Sequence, residues 1–221
     1  MNRKAQKVSV ILFLIFTLAI LIRFYKIDSL PGEWYGDISI VHEYVTRVLS
    51  LEWPLYFEGG VGSFYHYVIS PIILITGGSF WGYKIASVII SLAGICALYL
   101  LGKELFSLRV TLIACLFMAV YFSDLVWSRI GVSSVILPLM TSFVIYAAIK
   151  FVRLRSYKAL FSGALISSAG LLAYPVTFIF PVFYIVLVAI GLYNEKKLKK
   201  HWCVLTLIPF TFIPAIIVFA Y

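Results

Sequence analysis

Phe80-Trp81-Gly82-Tyr83-Lys84-Ile85-Ala86-Ser87-Val88-Ile89-Ile90-Ser91-Leu92-Ala93-Gly94-Ile95-Cys96-Ala97-Leu98-Tyr99-Leu100-Leu101 carries a single charge, near its start, and is closed by Gly102-Lys103-Glu104. Crossing the hydrocarbon core of a bilayer takes roughly 20 mostly apolar residues in a helix, which satisfies its own backbone groups. This run meets that length. The same test finds apolar runs at residues 8–25, 110–126, 132–149, 159–173 and 176–193, and a seventh that begins near Cys203 and is still apolar at Tyr221. The expected architecture is an all-α, polytopic transmembrane helix bundle of about seven spans. Residues 1–221 would be the N-terminal part of such a domain, with the last span cut short.

Composition agrees with that reading. The residues are 63% hydrophobic and 12% charged, with mean hydropathy +1.05, whereas a soluble domain carries about a quarter charged residues to wet its surface. A soluble globular domain is excluded. The first run follows Arg3, Lys4 and Lys7 and lacks a small-x-small cleavage site, so it reads as a retained signal anchor, with Arg23-Phe24-Tyr25 as its interfacial end. Cys96, Cys115 and Cys203 all fall in apolar runs, at spacings that suit neither a metal site nor a disulfide framework.

Cytoplasmic loops are enriched in Lys and Arg, so the basic residues at alternate ends of the spans set the orientation. On the side of the N-terminus lie Arg3, Lys4, Lys7, Lys103, Arg109, Lys150, Arg153, Arg155, Lys158 and the basic run 196–200, with only Glu104 and Glu195 among them. That side is expected to be cytoplasmic, in a plasma membrane. The formal net charge of +9 is then a topology signal, with the 196–200 run resting on anionic headgroups, and nucleic-acid binding gains no support.

Residues 26–78 form the expected external segment, and six of the nine acids and two of the three histidines lie there. After a turn-rich entry, Ile38, Val41, Val45 and Val48 recur at helical spacing with Asp37, Glu43, Thr46 and Arg47 off the stripe, which predicts an amphipathic interfacial helix. Glu43 and Arg47, four apart, suit a surface pair. Gly59-Gly60-Val61-Gly62-Ser63 lacks the lysine of a phosphate-binding loop, and residues 64–76 predict a short re-entrant or interfacial helix broken at Pro71.

Leu30-Pro31-Gly32 through Asp37, Trp53-Pro54-Leu55-Tyr56, Gly59 to Ser63 and Phe64-Tyr65-His66-Tyr67 follow one another before the second run. Tyr99-Leu100-Leu101-Gly102-Lys103-Glu104-Leu105-Phe106, Trp127-Ser128-Arg129-Ile130-Gly131 and Gly170-Leu171-Leu172-Ala173-Tyr174-Pro175 come after it. In this order the motifs resemble the GT-C glycosyltransferases, the protein O-mannosyltransferases and the lipid A aminoarabinose transferase among them. The resemblance implies transfer of a sugar from a polyprenyl-phosphate donor to a protein, lipid or glycan acceptor at the outer face, in contact with membrane lipids and without a cofactor. It also implies further spans and an external domain beyond this chain. Where the family usually has an acidic pair, Asp37 is followed by Ile38.

Such a transfer needs a base for the acceptor's proton and cations for the phosphate. Asp37 matches the family's catalytic aspartate, and it also stands where a helix N-cap would. Arg129 and Lys84, at outer ends of spans, are candidates for the donor phosphate, though long basic chains also snorkel to headgroups. His66 is a candidate for orienting the acceptor, Glu58 and Glu33 for a second carboxylate, and Tyr174 for lining the cavity; the bland readings are a packed histidine, solvated acids and an aromatic-belt tyrosine. No metal is expected, since no ligand cluster is visible. A multi-pass transporter and a non-catalytic assembly subunit are the competing functions.

Overall fold

The computed structural model describes residues 3–30 and 36–194. The apolar run from residue 203, Glu33 and the basic run 196–200 lie outside the described residues. Among these, helix follows helix: α1 (Arg3–Phe24), α2 (Gly36–Leu49), α3 (Phe64–Ile75), α4 (Phe80–Leu105), α5 (Leu108–Val120), α6 (Phe122–Ile130), α7 (Leu137–Leu154), α8 (Tyr157–Ala169) and α9 (Phe180–Asn194). The all-α expectation holds, with one small addition. A two-residue ladder, β1 (Tyr56–Phe57) with β2 (Val61–Gly62), brackets a 3₁₀ turn at Glu58–Gly60, so the glycine-rich stretch is a hairpin.

Local sequence explains where the helices begin. Ser79, Ser107 and Ser156 sit in extended backbone just before α4, α5 and α8, and each hydroxyl accepts from the amide three residues on. That is the N-cap arrangement, which satisfies one of the orphan donors of the first turn. α6 ends where Gly131 enters the left-handed region at φ 89°; a Cβ there would also come within 3.2 Å of Tyr83 Cβ.

Among the described residues, four helical stretches are long and apolar enough to cross a membrane: Gln6–Phe24, Phe80–Leu105, Ser133–Leu154 and Pro175–Asn194. The expected span at 110–126 is broken. α5 and α6 meet at Tyr121 with a bend of 50°, without a proline at the break. The expected span at 159–173 is a shorter apolar helix, α8 continued by a 3₁₀ turn through Leu172.

α4 is the central post, packed on α5, α6 and α7, while α7 packs in turn on α8 and α9. One core runs through α2, α3, α4, α7, α8 and α9, with Val45, Tyr65, Ile69, Tyr83, Ala86, Met140, Phe151, Tyr184 and Val188 buried. A second joins α1, α4 and α5 through Ile15, Ala19, Ile95, Cys115 and Ala119. Small residues allow the close crossings, as expected where lipid offers no hydrophobic drive between helices; Gly163 lies so near Tyr184 that a Cβ would sit 2.5 Å from its hydroxyl. Phe13, Phe117 and Phe161, by contrast, point outward.

α2 buries the predicted stripe of Ile38, Val41, Val45 and Val48, with Tyr44 added. The surface pair is different from the one that spacing suggests. Arg47 turns away from Glu43, and its Nη1 donates to both carboxylate oxygens of Glu58, at 2.8 and 2.9 Å, while Nε donates to Glu52 at 2.8 Å. Lying over the Phe57 ring, 5.5 Å from its centroid, the guanidinium gains an aromatic face that Glu43 could not offer. The interfacial role of Arg23 is also overturned. Its side chain is fully buried and makes an ion pair with Asp124 at 2.6 Å.

Candidate functional site

α2 carries Asp37, Val41 and Tyr44 at spacings of four and three, which places them along one edge of the helix. Burial of the Ile38-Val41-Val45-Val48 stripe fixes that edge, and it faces a cavity of about 250 Å³. Besides these residues and Ile40, the lining comprises Val61 of β2, His66 of α3, Trp127 of α6, Val132, Ser133 and Ser134 of the link to α7, and Tyr174. Asp37 lies in the first turn of α2, where a carboxylate also complements the helix dipole.

The hairpin brings the far end of the chain to this cavity. Gly62 abuts the turn after α8 so closely that a Cβ would lie 2.3 Å from the Leu172 carbonyl oxygen, and the Tyr56 hydroxyl donates to Leu171 O at 2.5 Å. Tyr174 follows directly. Its backbone amide donates to Thr177 Oγ1 at 3.2 Å, and that hydroxyl donates back to Tyr174 O at 2.6 Å and to Gly170 O.

His66 is fully buried behind the cavity wall, ringed edge-on by Tyr44, Phe57 and Tyr65 at centroid distances of 5.4, 5.0 and 5.5 Å. Neither ring nitrogen meets a hydrogen-bond partner, and neither does the buried Oγ of Ser134. Burial pushes the imidazole down to about 4, with nearby backbone of Gly62 and Ser63 offsetting part of the shift. The ring is neutral at physiological pH, able to donate from one nitrogen and accept at the other.

Of the residues singled out by sequence, Asp37, His66 and Tyr174 converge on the cavity. Arg129, Lys84 and Glu58 stand outside its lining. Arg129 donates to the carbonyls of Ile22, Tyr25, Lys26 and Leu30, at 3.4, 2.6, 3.3 and 3.1 Å, and so caps the C-terminal end of α1. Lys84, fully buried, donates to Ile27 O at 2.5 Å with its ammonium 4.3 Å from the Phe80 centroid. Glu58 is held below the usual carboxylate range by its own backbone and by the Arg47 guanidinium. Among the described residues no three His, Cys, Asp or Glu side chains group as metal ligands do.

Sequence reasoning missed Trp127 and Ser134 as lining, and it missed the buried Arg23–Asp124 pair. An acid in the apolar run at 110–126 was the available signal, because an ionisable group at membrane depth demands a partner. Beside the cavity opens a larger apolar groove of about 660 Å³, walled by Leu98, Phe117, Met118, Val120, Tyr121, Phe122 and Leu137. Trp127 and Ser134 line both spaces. The arrangement offers one carboxylate, a neutral imidazole and aromatic walls at the edge of a lipid-compatible groove.

No curated protein and no solved structure shows a significant match to the chain. A family model does: residues 62–220 match dolichyl-phosphate-mannose-protein mannosyltransferase. The match includes His66, Lys84, Arg129, Ser134 and Tyr174, while Asp37 and Glu58 precede it. With most of its length matched, and with a membrane-type helix bundle that agrees, the chain belongs to the dolichyl-phosphate-mannose-protein mannosyltransferase family of GT-C glycosyltransferases.

Proposed function

We propose that this protein transfers a sugar from a polyprenyl-phosphate-linked donor to an acceptor hydroxyl on the extracytoplasmic face of the membrane, with Asp37 as general base. The observation that carries the reading is the junction of a small cavity, edged by Asp37, with a large apolar groove through Trp127 and Ser134. A polyprenyl tail fits an apolar groove open to lipid, and the reacting end would then lie where the carboxylate stands. In the step, the acceptor oxygen bonds to the anomeric carbon and its proton passes to Asp37. The bond from that carbon to the phosphate oxygen breaks, and polyprenyl phosphate leaves.

The orientation rests on the basic residues Lys103, Arg109, Lys150, Arg153 and Lys158, which gather at the helix ends away from Asp37 and mark the cytoplasmic side. Arg129 and Lys84 hold the end of α1 in this reading, and their influence on the donor is through the position of that end. The transport alternative has little to work with, since Arg23, Asp124 and Lys84, charges buried at or near the spans, are engaged with one another or with backbone carbonyls.

Asp37→Asn tests the assignment. The amide keeps the shape of the side chain but cannot take a proton, so transfer should fall by about 100-fold or more, with donor binding and insertion unchanged. Near wild-type transfer would remove Asp37 from the chemistry.

A further inference from the structure

The basic end of the bundle, away from Asp37, carries a groove of its own, of about 410 Å³. Its floor is α7, where Ile145, Ala148, Ile149 and Val152 recur at helical spacing on one face. The end of α4 forms one wall, and α9 forms the other through Leu187 and Gly191. Gly191 brings α9 onto α7, since a Cβ there would lie 2.6 Å from Val152 Cγ2. From Ile145 to Val152 the floor runs about 10 Å along the axis of a membrane-length helix, the direction in which lipid tails lie. No residue of this lining is shared with the cavity edged by Asp37 or with the apolar groove beside it.

Charge at the mouth decides the occupant. Arg153 follows the floor directly and belongs to the lining, with its side chain half exposed. Lys150 and Arg153 share one carboxylate, that of Glu104, at 3.1 and 3.5 Å, so the mouth keeps a net positive charge. Arg153 also donates to Glu104 O, and among the described residues both of its contacts run through Nη1. A guanidinium carries five N–H donors in a fork that suits phosphate, so donors remain for a second, anionic acceptor. A zwitterionic lipid would bring its own ammonium to a mouth that is already positive. The apolar groove near Asp37 differs: among the described residues its lining has Asp124 and no lysine or arginine. We propose that the groove between α4 and α9 seats an anionic phospholipid, with one acyl chain along the α7 floor and its phosphodiester on Arg153. This inference goes beyond the glycosyl-transfer reading and does not rest on it.

The test is native mass spectrometry of the full chain released from vesicles of equal phosphatidylcholine and phosphatidylglycerol. The wild type should retain phosphatidylglycerol about tenfold more than phosphatidylcholine, the scale of a charge-assisted hydrogen bond. Arg153→Gln should remove most of that preference, and Leu187→Trp, which fills the groove with Arg153 in place, should lower the retained phosphatidylglycerol by a similar factor. Lys158→Gln removes the same charge from the same end of the bundle but outside the groove, and should leave the preference unchanged. If Arg153→Gln fails to insert because Glu104 loses a partner, Leu187→Trp and Lys158→Gln decide the matter. Excess glycerol phosphate should not displace the lipid. A wild type that retains both lipids equally would overturn the proposal, and one that retains neither would give the groove to another occupant, such as the apolar run from residue 203. A loss of preference in Lys158→Gln would assign it to the diffuse field of the basic end and overturn the site likewise. So would displacement by glycerol phosphate, or full preference in Arg153→Gln or Leu187→Trp.

Discussion

Arg23 Nη2 lies 2.6 Å from Asp124 Oδ2, and both side chains are buried although 101 residues separate them. The pair closes a network. Arg23 Nε donates to Ser91 Oγ at 2.9 Å, Ser91 donates to Asp124 at 2.6 Å, and Arg23 Nη1 donates to the Ala119 carbonyl at 2.8 Å. Ala119 stands just before the break at Tyr121, where a helical carbonyl loses its ordinary partner. One guanidinium thus joins α1, α4 and the α5–α6 bend that presents Trp127. Removing one member should be costly and removing both should not, since a stranded buried charge costs about 3–5 kcal/mol while an apolar replacement of the pair is often neutral. Asp124→Leu should markedly lower the thermal midpoint in detergent, and Arg23→Met with Asp124→Leu should recover most of it. Equal losses in the single and double variants would show that the pair contributes more than mutual neutralisation.

Arg129 makes the next prediction. Its contacts are four backbone carbonyls at the end of α1, and a charged donor to such groups contributes about 1 kcal/mol when partly exposed. Arg129→Ala should lower stability by that order, with Arg129→Lys intermediate, and the donor KM should move less than twofold once folded protein is equalised. A tenfold rise in donor KM in the Ala variant alone would return Arg129 to the phosphate.

Protonation of His66 should be visible in stability. Its folded value, about 4, lies below the ordinary 6.5, so between these pH values the unfolded chain binds the extra proton. Stability from this group is therefore intact above about pH 6.5 and declines as pH falls towards 4. Thermal unfolding of His66→Phe should lose this component of the decline. Parallel pH profiles of variant and wild type would place the imidazole in a wetter setting.

Single cysteines test the orientation, in a background without Cys96, Cys115 and Cys203. Glu58 and Lys158 are both exposed, at opposite ends of the bundle. An impermeant thiol reagent applied to whole cells should label Glu58→Cys and spare Lys158→Cys. Labelling at 158 alone would invert the protein in the membrane.

Much of this fold was legible because membrane helices are specified locally. A run of apolar residues must be helical in lipid whatever surrounds it, and Ser79, Ser107 and Ser156 mark starts through hydrogen bonds spanning three residues. The stripe that buries α2 is likewise a matter of spacing along one helix, and the order of motifs sufficed to indicate the family. What depends on partners distant in sequence was decided only by tertiary structure. Arg23 read as an interfacial anchor because its partner stands on another helix, and Arg129 read as a phosphate ligand because the carbonyls it caps lie about 100 residues earlier. The break at Tyr121 carries no proline to announce it, and the buried Ala119 carbonyl just before it accepts from Arg23 of α1. The cavity, too, is a product of packing: Asp37, His66, Trp127, Ser134 and Tyr174 sit on five separate segments, and only the close approach of Gly62 to Leu172 and the bend of α6 bring them to one wall.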